Sequence, residues 1–540
     1  MRTNGQRAVT VGVAALAVTM TGSLLSEAGA TAPVPRGDAA TGVSAPEPFA
    51  KADRKRLRAD RWQDSAAVGK DHSGGDTNRP NIVVIMTDDM RRDEFHKAWM
   101  NRTRKLIANK GVTFKHSFAP TPLCAPARAS FLSGEYVQNH RVRSVGSPYG
   151  FRSFRDRNTL PVWLQKAGYR TIHLGKYING YGRQDTKGGK PSGKYIPPGW
   201  TDWRASLDNR GTYNYRNTHL NRNGKVQSLR GEYQTNAYGR IGSNIIQRYS
   251  HRDKPFFLNL SFTAPHHGGP RESDDPRGIK SPARSRKSIG DFDRATRRLP
   301  DPDGEPGNKD KPAPVSQRPK LSKRALRGAK RVYRQRAEAE SSVDREVRQL
   351  IHTLRRTNEL KETYVLFTSD NGYLLGEARR TQGKSLPYDP SLSTPLAIRG
   401  PGIPHGRVRT DPFTSIDFAP TIAAMANAKV RAKVDGKSML RVARKGDQGW
   451  KRPILTNTGA RRGKKSFGQG IRVPGFLYSE YRTRGRKREL YNLRRDPHAL
   501  HNLIGRQQYR FTQRRLTMIL HKRQNCAGAA CRKPVGKYRR

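Results

Sequence analysis

The stretch NIVVIMTDDM, residues 81–90, indicates the fold of the chain. Its apolar, β-branched run predicts a strand that is buried on both faces, which is typical of the centre of a sheet covered by helices. Similar runs predict further strands, namely TIHLGK (171–176), FFLNLSFTAP (256–265), TYVLFTSDN (363–371) and PLAIRG (395–400). Helical patterns lie between several of them, such as LPVWLQKAGY and AEAESSVDREVRQLIHTLRR. This alternation predicts an α/β domain with a largely parallel sheet.

The segment before the first strand has the composition of a targeting sequence and a linker. The positively charged start MRTNGQR precedes the apolar run AVTVGVAALAVTMTGSLL and then small residues that suit signal peptidase. We therefore predict a signal peptide over residues 1–32, with an uncleaved membrane anchor as the alternative. Residues 33–79, rich in Pro, Ala and charge, are predicted to be a flexible leader. No later stretch is apolar enough to cross a bilayer, so we expect a secreted, extracellular or envelope-associated protein.

Two changes in composition divide the rest of the chain. Residues 80–429 are predicted to form the main domain. A Pro-, Gly- and charge-rich insertion at about 270–325 interrupts it and is expected to be mobile or to lie over the active face. After that domain, SFGQGIRVPGFLYSEYRTRGRKRELYNL predicts a short antiparallel pair with a basic turn, followed by a helix. We predict a smaller C-terminal subdomain over residues 430–540.

The charge balance is strongly basic. Lys and Arg number 105 against 44 Asp and Glu, for a formal net charge of +61. Such a field attracts nucleic acid, an anionic cell envelope or acidic polysaccharide. The predicted export argues against nucleic acid as a specific partner and leaves the envelope and polysaccharide. A solvated surface or a bias of the lineage is the alternative explanation of the charge.

Polar side chains follow several of the predicted strands. Asp88-Asp89 and Asp370-Asn371 end two of them, and Lys176 and His266-His267 end two others. In open α/β sheets, ligands bind beyond the carboxyl ends of the strands. Carboxylate and amide oxygens suit Ca²⁺ or Mg²⁺, whereas zinc would be indicated by a set of thiolates and histidines, and a single available cysteine argues against it. Each motif alone could also be a helix cap or a turn; their shared position favours a site.

The three cysteines divide into a pair and a single residue. Cys526 and Cys531 enclose AGAA, and we predict a disulfide between them, with a free pair as the alternative. Cys124, in PLCAPARASFLSGEY, then has no partner. In an exported protein such a residue is a free thiol, half of an intermolecular bridge or a chemically altered group.

The segment CAPAR fits the pattern Cys-x-Pro-x-Arg and, with SFLSGEY, resembles the signature of the sulfatase family. Five further segments resemble family motifs in the family's order, over about residues 80–505: NIVVIMTDDMR, GKYINGYG, FTAPHHGGP, LFTSDNGYLLGE and QGKSLPYDPSLSTPLAIRGPG. RELYNLRRDPHALHNL is similar to the segment that closes many of these proteins. The Lys-Tyr-Ile-Asn version of the lysine motif looks closest to the N-acetylglucosamine-6-sulfatase branch.

This resemblance implies an alkaline-phosphatase-like α/β sandwich, with residues 80–429 as the catalytic domain. It implies that a formylglycine-generating enzyme oxidises Cys124 to formylglycine (3-oxoalanine), whose hydrate attacks the sulfur of a sulfate ester. The implied ligands of one Ca²⁺, or of Mg²⁺, are Asp88, Asp89, Cys124, Asp370 and Asn371. Further catalytic residues implied by the resemblance are Arg128, which holds the site in register, Lys176 and Lys384, which bind sulfate oxygens, and His266, which protonates the leaving alcohol.

The chain also departs from the family pattern. Many sulfatases carry Lys-Trp-His where this chain has Lys176-Tyr177-Ile178, so one histidine is missing and Asn179 is a partial substitute. Ala378 and a run of arginines precede Lys384, and SLSTP replaces a more usual ending. These differences concern recognition of the leaving group rather than the metal site.

The resulting hypothesis is an exported sulfatase that acts on a sulfated carbohydrate or an aryl sulfate. A phosphomonoester, phosphodiester or phosphonate hydrolase on the same scaffold is the alternative enzyme. A basic, polyanion-binding protein that retains an inactive enzyme scaffold is the alternative from another class. The intact set of predicted site residues argues against that last reading.

Overall fold

The computed structural model describes residues 79–535, apart from 301–306, 460–467 and 483–486. The predicted signal peptide and all but the last residue of the predicted leader lie outside the described residues. Within the described residues, no helix is both long enough and apolar enough to span a membrane.

The strands lie in two main sheets and one short pair. In chain order they are β1 (Asn81–Asp88), β2 (Val112–Phe114), β3 (Ser117–Phe118), β4 (Arg170–Gly175), β5 (Asp202–Ser206), β6 (His219–Arg222), β7 (Lys225–Ser228), β8 (Phe256–Pro265), β9 (Thr363–Ser369), β10 (Leu396–Arg399), β11 (Arg407–Arg409), β12 (Phe413–Thr414), β13 (Ile454–Asn457), β14 (Gly468–Val473), β15 (Phe476–Tyr481) and β16 (Arg488–Asn492). The five strands predicted from apolar runs are β1, β4, β8, β9 and β10, so those predictions are confirmed.

The larger sheet of the described residues has ten strands in the order β11-β2-β10-β9-β1-β8-β4-β5-β6-β7. Its centre is parallel, because β1 pairs in parallel with β8 and β9, and β4 pairs in parallel with β8 and β5. Antiparallel pairs join β10 to both β9 and β2 on one side, and β6 to both β5 and β7 on the other. The prediction of a largely parallel sheet is therefore confirmed, with antiparallel additions towards both edges.

Helices cover both faces of this sheet. In chain order, the α-helices of the described residues are α1 (Asn101–Thr103), α2 (Cys124–Ser133), α3 (Val137–His140), α4 (Leu160–Lys166), α5 (Gln234–Tyr249), α6 (Ala313–Ser316), α7 (Lys323–Arg356), α8 (Asp389–Leu392), α9 (Phe418–Met425), α10 (Leu440–Lys445) and α11 (Arg510–Arg523). Of these, α5 and α7 lie on one face of the sheet, and α2, α4 and α9 lie on the other.

Strand β1 shows why residues 82–86 are all apolar. All eight of its residues are buried. Val83 and Ile85 pack in one cluster with α5 and α7, whereas Ile82 and Val84 pack in another with α2, α4 and α9. Successive side chains of a strand point to opposite faces, so a strand between two helical layers needs apolar residues at every position.

Helix α7 is longer than the sequence predicted. The apolar pattern indicated a helix from about residue 337, but α7 begins at Lys323, where the Ser322 hydroxyl accepts a hydrogen bond from Ala325 N at 3.2 Å. The added turns are mostly charged and bury a narrow stripe that includes Ala329, Val332 and Tyr333. So few apolar residues give a weak periodic signal.

Part of the predicted insertion packs on α7. Arg284 is fully buried and donates to Glu338 of α7 at 2.6 Å, and Gly290 N donates to the same carboxylate at 2.8 Å. Glu272 and Asp274 also accept from the Arg284 guanidinium. Charged residues that looked like a mobile loop in sequence thus include a buried, fully paired arginine.

The C-terminal region forms an antiparallel sheet, β13-β14-β15-β16, so the predicted pair is part of four strands. Helix α11 packs beside it through Leu516 and Leu520, and a disulfide joins Cys526 to Cys531 near the helix end. Another cluster of this sheet contains Leu386 and Tyr388. The sheet therefore supports the loop that carries Lys384. The predicted domain boundary at residue 430 stays a prediction.

Gly175, the last residue of β4, provides a test of this packing. Its φ is +102°, and a Cβ there would overlap the Ser261 carbonyl oxygen on β8. Gly168 has a φ of +88° but open space around it. We expect Gly175→Ala to destabilise the protein by about 2–4 kcal/mol, from the backbone strain and the overlap together.

Gly168→Ala is the matched control, because it adds the strain without the overlap. We expect it to cost about 1–2 kcal/mol. Thermal and urea unfolding of both variants measure the difference. Equal losses would show that β4 and β8 are not in close contact at this point.

Candidate active site

The carboxyl ends of four neighbouring strands bring the predicted site residues together. In the parallel register Thr87 lies opposite Ser369, Asp88 opposite Pro265, and Gly175 opposite Ser261. The residues at and directly after the ends of these strands therefore lie at one edge of the sheet. They are Asp88, Asp89, Lys176, His266, Asp370 and Asn371.

Three carboxylates form the centre of the site. Asp88, Asp89 and Asp370 are all buried, and each offers an oxygen within 4.8 Å of the others. Asp89 has a φ of 69°, and its backbone N–H donates to Asp370 Oδ1 at 3.2 Å. Asn371 Nδ2 donates to Asp89 Oδ1 at 2.6 Å. Three acids at this spacing repel one another unless cations neutralise them.

Helix α2 supplies the first cation and the cysteine. It starts at Cys124, directly after the extended residue Leu123, which places Arg128 one turn into the helix. Arg128 Nε donates to Asp370 Oδ2 at 2.8 Å, and its Nη1 donates to the Lys176 carbonyl at 2.8 Å. This buried guanidinium joins the ends of β9 and β4 to the start of α2.

Cys124 lies inside the charged cluster. Its Sγ donates to Asp88 Oδ1 at 3.3 Å and accepts from Lys384 Nζ at 2.7 Å, and the residue is 1% exposed. Burial and the charge of Asp88 raise the pKa of the Cys124 thiol far above its usual value. An unmodified Cys124 therefore stays protonated and is a poor nucleophile in this setting.

Two lysines neutralise the other acids. Lys176 Nζ forms a buried ion pair with Asp88, and Lys384 Nζ forms one with Asp89. Burial lowers the pKa of both lysines, but the surrounding acidic groups together raise it above its usual value, with Asp88 the largest contributor for Lys176 and Asp89 for Lys384. Burial likewise raises the pKa of Asp88, but Lys176 and the other cations around it together hold that pKa well below its usual value. Both ammonium groups thus stay charged at neutral pH.

His266 is the titratable base of the site. One ring nitrogen, Nδ1, lies 2.7 Å from the His267 carbonyl and donates to it; the other, Nε2, lies 3.7 Å from Asp89 Oδ2. Burial lowers the pKa of His266 to about 4, although Asp88 and Asp89 oppose that shift. The exchangeable proton of this histidine therefore belongs to Nε2, on the side of the acids.

The donor set fits a hard divalent cation. Within the described part of the chain, Asp89 Oδ2 and Asn371 Oδ1 are buried without a hydrogen-bond partner. Buried oxygens are seldom left unsatisfied, and carboxylate and amide oxygens are the ligands that Ca²⁺ prefers. Cys124 lies within the same reach, because Asp88, Cys124 and His266 also have ligand atoms within 4.8 Å of one another.

Two residues near the site were not found from the sequence. Arg336 of α7 donates to the Asp89 carbonyl at 2.7 Å and pairs with Glu94. Tyr213, between β5 and β6, has its ring centroid 4.8 Å from Lys176 Nζ and 4.7 Å from the His266 ring. Arg336 belongs to the α7 segment just before the predicted helix start, and Tyr213 lies in no recognisable motif. Neither gave a usable signal.

The missing histidine has no direct replacement. Ile178, which stands at that place, is buried in the apolar cluster beneath α2 and α4. Asn179 points its amide to Tyr213, donating to the hydroxyl at 2.5 Å. Its Oδ1 has no partner among the described residues. The polar group next to Lys176 is therefore an Asn–Tyr pair rather than an imidazole.

Two family sequence profiles match the chain: Sulfatase over residues 80–428, and N-sulphoglucosamine sulphohydrolase, C-terminal, over residues 377–526. The N-acetylglucosamine-6-sulfatase of Homo sapiens is 27% identical over 513 residues, which cover 85% of this chain and 87% of that protein. The extracellular sulfatase SULF-1 homolog of Drosophila melanogaster is 32% identical over 381 residues, 69% of this chain. The chain spans only 32% of that protein and 48% of the Caenorhabditis elegans homolog.

The fold has solved counterparts. A protein solved with its substrate, D-glucosamine-2-N,6-O-disulfate, is similar with a TM-score of 0.68 and 21% identity, over 83% of this chain and 97% of that one. This likeness and the two sheets described above confirm the expected alkaline-phosphatase-like α/β sandwich with a smaller antiparallel sheet. The Sulfatase profile covers well over half of the chain and includes every residue of the predicted site. The chain belongs to the sulfatase family.

Proposed function

We propose that the protein is an exported sulfatase that hydrolyses sulfate esters of a carbohydrate, using a formylglycine made from Cys124 and a bound Ca²⁺. The observation that carries this proposal is the position of Cys124. A single buried thiol that stays protonated lies among three carboxylates and two ammonium groups, where an unmodified cysteine has no evident use. Family membership supports the proposal.

The residues that would hold Ca²⁺ are Asp88, Asp89, Asp370, Asn371 and the modified side chain of residue 124. Asp89 Oδ2 and Asn371 Oδ1, which lack partners in the described structure, provide two of the oxygens. The cation supplies charge neutralisation for a nucleophile and a sulfate group that are both anionic. Arg128 holds Asp370 and the start of α2 in register, which keeps residue 124 against the carboxylates.

The lysines bind the sulfate group. Formylglycine supplies, in its hydrated form, an oxygen nucleophile that a cysteine thiol cannot offer. Lys384 contacts residue 124 directly, and Lys176 pairs with Asp88 Oδ2, whereas residue 124 contacts Asp88 Oδ1. Both ammonium groups remain charged, so they can stabilise the negative charge that spreads over the sulfate oxygens during displacement.

His266 supplies the proton for the leaving alcohol. Its Nδ1 is committed to the His267 carbonyl, so only Nε2 can exchange a proton with a ligand. The pKa of about 4 means that the ring is neutral in the ligand-free protein at neutral pH. The negatively charged sulfate group near Nε2 favours the charged imidazolium, which can then donate to the alcohol oxygen.

The substrate class follows from the relatives and from charge. The human N-acetylglucosamine-6-sulfatase matches this chain along most of its length, which supports a sulfated amino sugar. The net charge of +61 favours a polyanionic glycan or the anionic cell envelope. The extracellular SULF-1 homolog supports a site of action outside the cytoplasm.

The modification of Cys124 can be tested directly. We expect Cys124→Ala to lower kcat for sulfate ester hydrolysis by about 10³-fold or more, because it removes the nucleophile. Mass spectrometry of the wild-type peptide from the native host should show formylglycine or its hydrate. Ser133→Ala, at the other end of α2, is the control and should retain activity. A wild-type enzyme that is fully active with an unmodified thiol contradicts the proposal.

The Ca²⁺ site predicts a stability effect that does not depend on activity. At 100 times its dissociation constant, Ca²⁺ should add about 2.7 kcal/mol and raise the Tm of the chelated protein by several degrees. Asn371→Ala should abolish this shift, because it removes an unpartnered ligand oxygen.

Asp275→Asn is the control for the metal, since it changes another acidic group, one whose carboxylate accepts a hydrogen bond from Ser281. It should leave the Ca²⁺-dependent shift intact. Differential scanning calorimetry with and without EDTA measures all three proteins. A shift that survives in Asn371→Ala would place the cation elsewhere.

Substrate preference separates the sulfatase from its alternatives. We expect the purified protein to hydrolyse 4-nitrophenyl sulfate and N-acetylglucosamine 6-sulfate faster than 4-nitrophenyl phosphate, bis-4-nitrophenyl phosphate or a phosphonate monoester. Two lysines and one histidine suit a sulfate group of low charge. Values of kcat/KM for the five compounds make the comparison. Preference for phosphorus, or binding without turnover, would refute the assignment.

A further inference from the structure

Tyr213 is placed between the two side chains that we propose to face the sulfate. Its ring centroid lies 4.8 Å from Lys176 Nζ, within the range of a cation–π contact, and 4.7 Å from the His266 ring at an angle of 36°. Lys176 and His266 come from β4 and from the end of β8. A single aromatic ring therefore contacts groups from two different strands.

Tyr213 is itself held from two sides. Asn179 Nδ2 donates to its hydroxyl at 2.5 Å, and its carbonyl accepts from Gly269 N at 2.8 Å. Tyr215, two residues on, donates its hydroxyl to the His266 carbonyl at 2.6 Å. The loop between β5 and β6 is thus hydrogen-bonded both to Asn179, three residues after Lys176, and to His266 and Gly269, which follow β8.

The Tyr213 ring restricts the movement of two side chains in this site, Lys176 and His266. A lysine side chain has four rotatable bonds, and the attraction of Asp88 draws the Lys176 ammonium towards the acids and away from a substrate. The aromatic ring of Tyr213, with its centroid 4.8 Å from the ammonium, limits the range of positions of that group without adding a charge. Stacking on the same ring limits rotation of the His266 imidazole.

We propose that Tyr213 is a positioning residue for sulfate ester hydrolysis, acting through Lys176 and His266, and that Asn179 fixes its ring. This inference rests on the proposed sulfatase function. The ring rather than the hydroxyl carries the effect, because Lys176 and His266 both contact the ring. Asn179, beside the place of the missing histidine, contributes by orienting Tyr213.

The test compares variants that keep or remove the ring. Tyr213→Phe keeps the ring and should stay within about 3-fold of wild-type kcat, and Asn179→Ala should match it. Tyr213→Leu should lower kcat by about 10- to 30-fold with little change in KM. Tyr213→Met is a second variant without the ring, for use if Leu prevents folding. Kinetics with 4-nitrophenyl sulfate and thermal unfolding are measured for each.

A double-mutant cycle identifies the route of the effect. In a Lys176→Ala background, Tyr213→Leu should reduce kcat by a much smaller factor than it does in the wild-type protein, because the ammonium group that Tyr213 positions is already absent. Tyr364→Leu is the control for loss of a buried ring. Tyr364 is buried near the start of β9, about 20 Å from Asp370 along the strand, and its replacement should leave kcat unchanged.

Three outcomes overturn the inference. The first is a Tyr213→Leu variant with wild-type kcat. The second is a Tyr213→Leu variant whose kcat falls by the same factor with and without Lys176→Ala. The third is a Tyr213→Phe variant whose kcat falls as far as that of Tyr213→Leu. The last result would mean that the hydroxyl acts on the substrate itself. Failure of the sulfatase proposal is distinguishable, because the wild-type protein would then show no sulfate ester hydrolysis at all.

Discussion

The site depends on the balance of buried charge at the carboxyl edge of the large sheet. Three carboxylates that repel one another face Arg128, Lys176 and Lys384, and each cation reaches a different acid. Removing one partner of such a set leaves an uncompensated buried charge, which typically costs about 3–5 kcal/mol. The parallel register, the start of α2 at Cys124 and the support of the Lys384 loop by the C-terminal sheet all serve to bring these charges together.

Much of this arrangement could be predicted from the sequence, because each buried strand and the polar residues at its carboxyl end are adjacent in the chain. An apolar run that ends in Asp88-Asp89 or in Asp370-Asn371 shows both the strand and its polar end. A parallel sheet then requires those ends to lie at one edge. The Cys-x-Pro-x-Arg motif places Arg128 one helical turn after Cys124, as the structure has it.

The residues that were missed depend on tertiary packing. The first turns of α7 bury only a narrow stripe among charged residues, so their helical pattern is weak and Arg336 passed unnoticed. Arg284 lies in a stretch with the composition of a mobile loop, yet Glu272, Asp274 and Glu338 enclose it. Tyr213 acquires its significance only when its loop meets Lys176 and His266, which are far away in sequence.

The burial of Cys124 has a consequence for the order of events in biosynthesis. A side chain that is 1% exposed, with Lys384 and Asp88 against its sulfur, is closed to another macromolecule once the domain has folded. Under the proposed function, the enzyme that converts Cys124 to formylglycine would have to reach the thiol before the domain folds. A variant that folds faster than this conversion would then be stable but would retain the unmodified thiol.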